Sequence, residues 1–360
     1  MKTRYYFLDM LRALAVAEMI HGHSLDGLLD TALRGTAFFV NWTFVRGYAA
    51  PVFLFAAGFA FAVVNGPRLE MPVKFDRVLL RRLQRLLFLI VLGYLLYLPY
   101  FSLRKTILSV GTAPWGDFLK TDILRCIGVS LVVLQLWCLL KPKWPAIWIM
   151  TGLAALMLAV LTPAVPHSAF VQNLPTAVKY YFTDAHFSVF CCSSFVFLGF
   201  TSGCLFSRQQ DSWLKSSLVI AVMLIVFGRV VHGAGVLSGL HVFATKSGVI
   251  ILLTVLLQRC EQLWQRSPLP VKYFGQESLV VYVVHLMIVY GSVLNKGMVF
   301  YWGTTLSYVE VYLFIGWLMA AMVVLAYVWH RLKVEHAGIA KWIKRTIYWS
   351  FLTLFLLKPH

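Results

Sequence analysis

Arg12 and His23 stand eleven positions apart in the first apolar stretch of the chain. On an α-helix that spacing turns through about 1100°, so the two side chains point within about 20° of each other, three turns apart. Asp9, three residues before Arg12, falls on the same stripe, whereas His21 comes out about 180° from Arg12 and faces elsewhere. An imidazole suits general-base work near neutral pH, and a guanidinium stabilises developing oxyanion charge or holds a phosphate. Asp26, three residues beyond His23, is spaced to hold that imidazole in one tautomer if the helix persists through Gly22. Ionisable groups inside an apolar span are costly, so several on one face imply a water-filled cavity or a site. A packed polar pair inside a bundle is the plainer reading of the same residues.

The elements that carry these residues are membrane helices. Hydrophobic residues make up 60 % of the 360 and charged residues 13 %, with a mean hydropathy of +0.77. A soluble domain is nearer half apolar and a quarter charged. Apolar runs centre on 6–24, 48–64, 86–101, 122–140, 146–163, 188–206, 214–232, 244–259, 277–294 and 307–329, each near the ~20 residues needed to cross a bilayer. The expected fold is all-α, a polytopic membrane bundle of about ten transmembrane helices. The run 346–357 is too short to cross and is expected at the interface. The organisation expected is therefore one transmembrane domain over 1–345 and a short interfacial segment over 346–360.

The formal net charge of +18 follows topology. With the N-terminus numbered as inside, 21 basic residues fall on the inner side and nine on the outer, Arg12 and Arg125 lying within spans. The positive-inside rule then predicts N-in and C-in, with the 163–187 loop outside, and gives no support to nucleic-acid binding. Asp9 and Arg12 interrupt the first run, which a cleaved signal peptide would not tolerate. The six cysteines lack metal-ligand spacing and read as small buried hydrophobes.

Other residues qualify as contacts. Alternating spans place Trp42, Arg46, Asp122 and Arg125 on the outer side with Asp26, as candidates for binding a polar substrate; Arg46 also reads as a snorkelling anchor, and Asp122 with Arg125 as an interfacial ion pair. On the inner side Arg12, Arg82, Arg85 and Glu277 are candidates for holding a phosphate-bearing donor. Glu277 equally suits a helix N-terminus, and the basic run from Lys74 to Arg85 equally suits anionic lipid. His285 lies about 12 Å further along the ninth span and reads as an interior histidine or a catalyst. No Gly-rich phosphate loop, zinc signature or Gly-x-Ser-x-Gly elbow occurs.

Phe7-Leu8-Asp9-Met10-Leu11-Arg12-Ala13-Leu14-Ala15-Val16, followed by His23, resembles the first span of the transmembrane acyltransferases, including the membrane O-acyltransferases of bacterial polysaccharides. Three further segments are similar to the branch related to heparan-α-glucosaminide N-acetyltransferase. They are Pro51-Val52-Phe53-Leu54-Phe55-Ala56-Ala57-Gly58, Asp122-Ile123-Leu124-Arg125-Cys126-Ile127-Gly128, and Phe274-Gly275-Gln276-Glu277-Ser278 running on to His285. The matches cover about a fifth of the chain. Arg125 departs from the amide expected in that branch, and Glu277 from a shorter polar residue.

The resemblance implies a ten- or eleven-helix bundle that passes an acyl group from cytoplasmic acyl-CoA to an acceptor, commonly a sugar, across the membrane. It carries a catalytic role onto His23 and a donor- or structure-supporting role onto Arg12. The expected activity is transfer of an acyl group, acetyl foremost, to an extracytoplasmic glycan or glycolipid, in the inner membrane of a bacterium. Acetyl-CoA is the donor substrate and no metal is called for; lipids and a second copy in a homodimer complete the expected partners. The alternative is a transporter or flippase for an anionic glycan or lipid intermediate, with the same residues as proton relay and binding cation.

Overall fold

The computed structural model describes residues 4–65, 77–140, 144–184, 187–233, 238–266 and 268–358. Helix α1 covers Tyr6–Leu28 without a break at Gly22. It is followed by α2 (Ala37–Arg46), α3 (Ala49–Asn65), α4 (Arg77–Leu96) and the short α5 (Leu103–Leu108) and α6 (Ala113–Leu119). Next come α7 (Ile123–Leu139), α8 (Trp144–Leu161), the short α9 (Ala169–Gln172) and α10 (Thr176–Thr183), then α11 (Val189–Arg208), α12 (Gln210–Gly233) and α13 (Ser238–Arg259). The chain closes with α14 (Glu261–Gln265), α15 (Leu269–Gln276), α16 (Ser278–Val289), α17 (Met298–Trp302), α18 (Tyr308–Glu335) and α19 (Ala337–Leu357). Between α16 and α17 a hairpin pairs β1 (Gly291–Ser292) with β2 (Asn295–Lys296).

Every apolar run of the sequence carries a helix, and the fold is an all-α membrane bundle. Among the described residues six helical segments are long and apolar enough to cross a membrane unaided: Ala37–Asn65, Pro114–Leu139, Val189–Arg208, Ser212–His232, Gly239–Arg259 and Tyr308–Glu335. Helix α1 is long enough but carries Asp9, Arg12, Glu18 and Asp26. Helix α4 opens on the described part of the basic run, with Arg77, Arg81 and Arg85 exposed; Lys74 lies outside the described residues.

Two segments differ from the sequence reading. The ninth run, expected as one span over 277–294, is helical only over the 12 residues of α16, about 18 Å and too short to cross alone. The helix stops because Gly291 adopts φ +90°, a left-handed turn that glycine enters at little cost and that starts the hairpin. The C-terminal run begins earlier than expected: α19 is a continuous helix of 21 residues, so position 346 falls inside an element. One residue, His336, separates α18 from α19, and Lys344 returns to lie 5.5 Å over the Trp329 ring, so the two helices run antiparallel. The far end of α19 reaches the segment before α5, where Ser102 Oγ donates to the Lys358 carbonyl at 3.0 Å and Phe101 packs on Phe351. On the charge-based topology residues 101–102 are external, and this contact brings the end of α19 to the side that the same rule denies the C-terminus.

The helices form two compact units. One comprises the described residues of Met1–Ala49, Leu95–Phe118 and Glu261–His360, the other those of Ala50–Tyr94 and Leu119–Cys260. In the first, α1 is the hub, lying against α15, α16 and α18. Gly275 on α15 makes this possible, since a Cβ there would meet the Asp9 carbonyl oxygen at 2.0 Å. The Glu261 carboxylate accepts from the Tyr6 amide at 2.7 Å, occupying one of the unpaired donors at the start of α1. Helix α18 starts with a capping box between Ser307 and Glu310. In the second unit α3 and α11 approach through Gly58 and Gly199, whose absent Cβ atoms would meet the backbone of Val196 and Phe55. Hydroxyl pairs tie its other helices, Ser130 to Ser193 at 2.7 Å and Thr151 to Thr201 at 2.9 Å, as expected of helices packed in lipid.

Candidate active site

Helix α1 presents its ionisable side chains in three groups, set by phase. The lowest surrounds Asp9, whose carboxylate takes Arg4 Nε at 2.8 Å and has Arg12 at 4.0 Å. The helix is unbroken, so His23 lies about 16 Å beyond Arg12 along the axis. That is too far for both to touch one reacting carbonyl.

The second group is His23 with two residues from beyond α15. Its ring stacks on that of His285 of α16, with centroids 5.5 Å apart, and meets the Tyr290 ring edge-on. The Tyr290 hydroxyl lies 3.3 Å from His23 Nδ1 and 3.4 Å from the His23 carbonyl oxygen. A carbonyl can only accept, so the phenol donates to it and takes the Nδ1–H on its own oxygen. That leaves His23 Nε2 with the free lone pair. Asp26, expected to hold this imidazole, is instead paired with Arg46, and it is Tyr290 that contacts Nδ1.

The third group turns the other way. Glu18 Oε1 accepts from Trp42 Nε1 at 2.9 Å and lies 3.4 Å from His21 Nδ1. His21 Nε2 in turn is 3.0 Å from the Tyr312 hydroxyl of α18. Both nitrogens of His21 are therefore engaged, in a carboxylate–imidazole–phenol chain that fastens α1 to α2 and α18. Trp42 is buried, and Arg46 covers its ring at 5.1 Å, so Trp42, Arg46 and Asp26 form one cluster beside α1. Neither Glu18 nor Tyr290 stood out in the sequence. Glu18 had a local signal, a carboxylate three residues before an imidazole on a helix; Tyr290 had none.

Glu277, Asp122, Arg125 and Arg82 have partners within their own units. Glu277, in the break between α15 and α16, is buried, with Lys333 Nζ at 2.6 Å and His330 Nδ1 at 2.9 Å. His330 in turn stacks on Tyr273. In the second unit Asp122 caps α7 by accepting from the Arg125 amide at 3.0 Å. The Arg125 side chain is 0 % exposed; its guanidinium donates to the Gly93 carbonyl at 3.0 Å and to the Lys120 carbonyl, and lies 3.9 Å over the Tyr94 ring. Arg82 donates to Asn65, while Arg85 is exposed on α4.

The profile of a family described as an acyltransferase domain matches residues 5–331. The chain belongs to this family of membrane acyltransferases. A search of curated proteins finds no match. The family match starts before α1 and ends in α18, so it includes His23, His285 and Tyr290 within one acyltransferase domain.

Proposed function

We propose that this membrane acyltransferase moves an acyl group, acetyl foremost, from acyl-CoA on the cytoplasmic side to an extracytoplasmic glycan or glycolipid, with His23 as general base. The observation that carries this reading is the Tyr290 contact. It commits His23 Nδ1 and leaves Nε2 as a half-buried lone pair with no partner among the described residues. His23 Nε2 takes the proton of an acceptor hydroxyl or amine as its oxygen or nitrogen bonds to the thioester carbonyl carbon. The C–S bond then breaks, and the departing thiolate takes the proton from the imidazolium, giving the acylated acceptor and free CoA. The neutral imidazole is restored.

Arg12 belongs at the other end of the donor. Its ~16 Å axial distance from His23 excludes a shared oxyanion and suits a phosphate at the foot of an extended thioester arm. Asp26, Arg46 and Trp42 cluster beside α1 at the level of Glu18 to Asp26, flanking His23, where a polar acceptor would be gripped. The cell membrane of a bacterium is the expected location, with the acceptor in the envelope.

A second reading makes His21 the base, because Glu18 orients it as a carboxylate orients a catalytic imidazole. His21 Nε2 is already occupied by the Tyr312 hydroxyl, which favours His23. A transporter would use the same polar groups without breaking a thioester. Purified protein in vesicles with radiolabelled acetyl-CoA separates the classes: label in a glycan with release of CoA supports transfer, and movement of a glycan with no CoA released supports a carrier.

A further inference from the structure

His285 has a chemical position that its place in an apolar helix does not require. Its Nδ1 lies 2.9 Å from the Val281 carbonyl one turn back in α16. A carbonyl accepts only, so Nδ1 carries the hydrogen and Nε2 holds a lone pair. The residue is 0 % exposed, and Nε2 has no hydrogen-bond partner among the described residues. Buried acceptors are almost always satisfied, and one left unmet is costly. The ring facing it is that of His23, whose open nitrogen is also a lone pair. Two bare acceptors on adjacent rings cannot satisfy each other; they call for a group from outside that brings hydrogens.

We infer that His285 Nε2 is the second acceptor nitrogen of the reaction centre, receiving a hydrogen of the nucleophile that His23 deprotonates. The substrate class this selects is a nucleophile that presents two hydrogens side by side, a primary amine or one of two adjacent hydroxyls. One hydrogen goes to His23 and is transferred; the other is held by His285 and fixes the attacking atom against the thioester carbon. His285 itself exchanges no proton in the step. The inference rests on the reading of His23 as base.

The test compares wild type, His23→Ala, His285→Phe and His285→Gln in membrane vesicles that contain the endogenous acceptor, with radiolabelled acetyl-CoA as probe. Phenylalanine keeps a ring against His23 but has no acceptor; the glutamine amide oxygen restores one near the place of Nε2. The expected result is a loss of about tenfold or more in initial transfer rate for His285→Phe, the scale of leaving one buried hydrogen unmet. His285→Gln should recover to within a few-fold of wild type, and both variants should bind labelled CoA as wild type does. Wild-type transfer by His285→Phe, equal damage in His285→Gln, or lost CoA binding in either would overturn the role of Nε2. Undiminished transfer by His23→Ala would instead overturn the base, and vesicles in which the wild type transfers nothing would overturn the donor reading and this inference with it.

Discussion

The imidazole of His23 on α1 lies against that of His285 on α16, ring centroids 5.5 Å apart and planes 30° apart. The contact exists because α15 and α16 are drawn onto α1 through Gly275, whose position beside the Asp9 carbonyl admits no side chain. Closing that approach thus brings a histidine from late in the chain to one near its start. A Gly275→Ala substitution, which forces α15 away from α1, should reduce transfer without altering any polar group. Activity equal to wild type in a well-folded Gly275→Ala would mean that the stack does not matter.

Arg12 should act on the donor. Removing a guanidinium that contacts a phosphate deletes a charge-assisted hydrogen bond of about 1.5–3 kcal/mol, or roughly ten- to a hundredfold in affinity. Equilibrium binding of labelled CoA to Arg12→Ala should weaken on that scale. Unchanged CoA binding with a reduced rate would place Arg12 at the chemistry, against the ~16 Å of helix between it and His23.

Arg125 should act on the fold. Its guanidinium is wholly buried among Gly93, Lys120, Asp122 and Tyr94, and breaking a buried ion pair costs about 3–5 kcal/mol because the partner charge is left behind. Arg125→Ala should lower the midpoint of thermal unfolding in detergent by several degrees or fail to accumulate. An equally stable variant with a raised acceptor constant would restore the role in acceptor binding that its place at the outer end of a span suggested.

The C-terminus should be external. Helix α19 rises about 31 Å from its turn with α18 and ends at Ser102, which the charge distribution predicts to be external. In a cysteine-free background, single cysteines at Ser168 and Lys358 should both react with an impermeant maleimide in intact cells. Protection of position 358 with labelling of 168 would return the C-terminus to the cytoplasm.

Hydropathy made the helices legible, since each apolar run carries one and α1 keeps its phase through Gly22 as the Arg12–His23 spacing requires. It did not reveal the break at Glu277, where the buried carboxylate meets Lys333 and His330, or the hairpin after Val289, which the positive φ at Gly291 starts. The start of α19 was obscured by Lys341, Lys344 and Arg345, which lower the hydropathy of its first turns without interrupting the helix. By phase His23 and His21 point to different neighbours, and in the structure one faces α16 and the other α18. Asp26 was the natural partner of His23 by spacing alone, but Arg46 from α2 competes for it, and such a contact between helices leaves no local pattern.

In the proposed mechanism His23, and not the neighbouring His21, removes the proton. The measurement is the initial rate of label transfer from radiolabelled acetyl-CoA in vesicles bearing wild type, His23→Ala or His21→Ala, each normalised to folded protein. His23→Ala should lose about two orders of magnitude or more, the usual scale for a general base. His21→Ala, which removes a contact to Glu18 and Tyr312, should keep most of the activity. Retained transfer in His23→Ala with loss in His21→Ala would contradict the account and move the base to the Glu18–His21–Tyr312 chain.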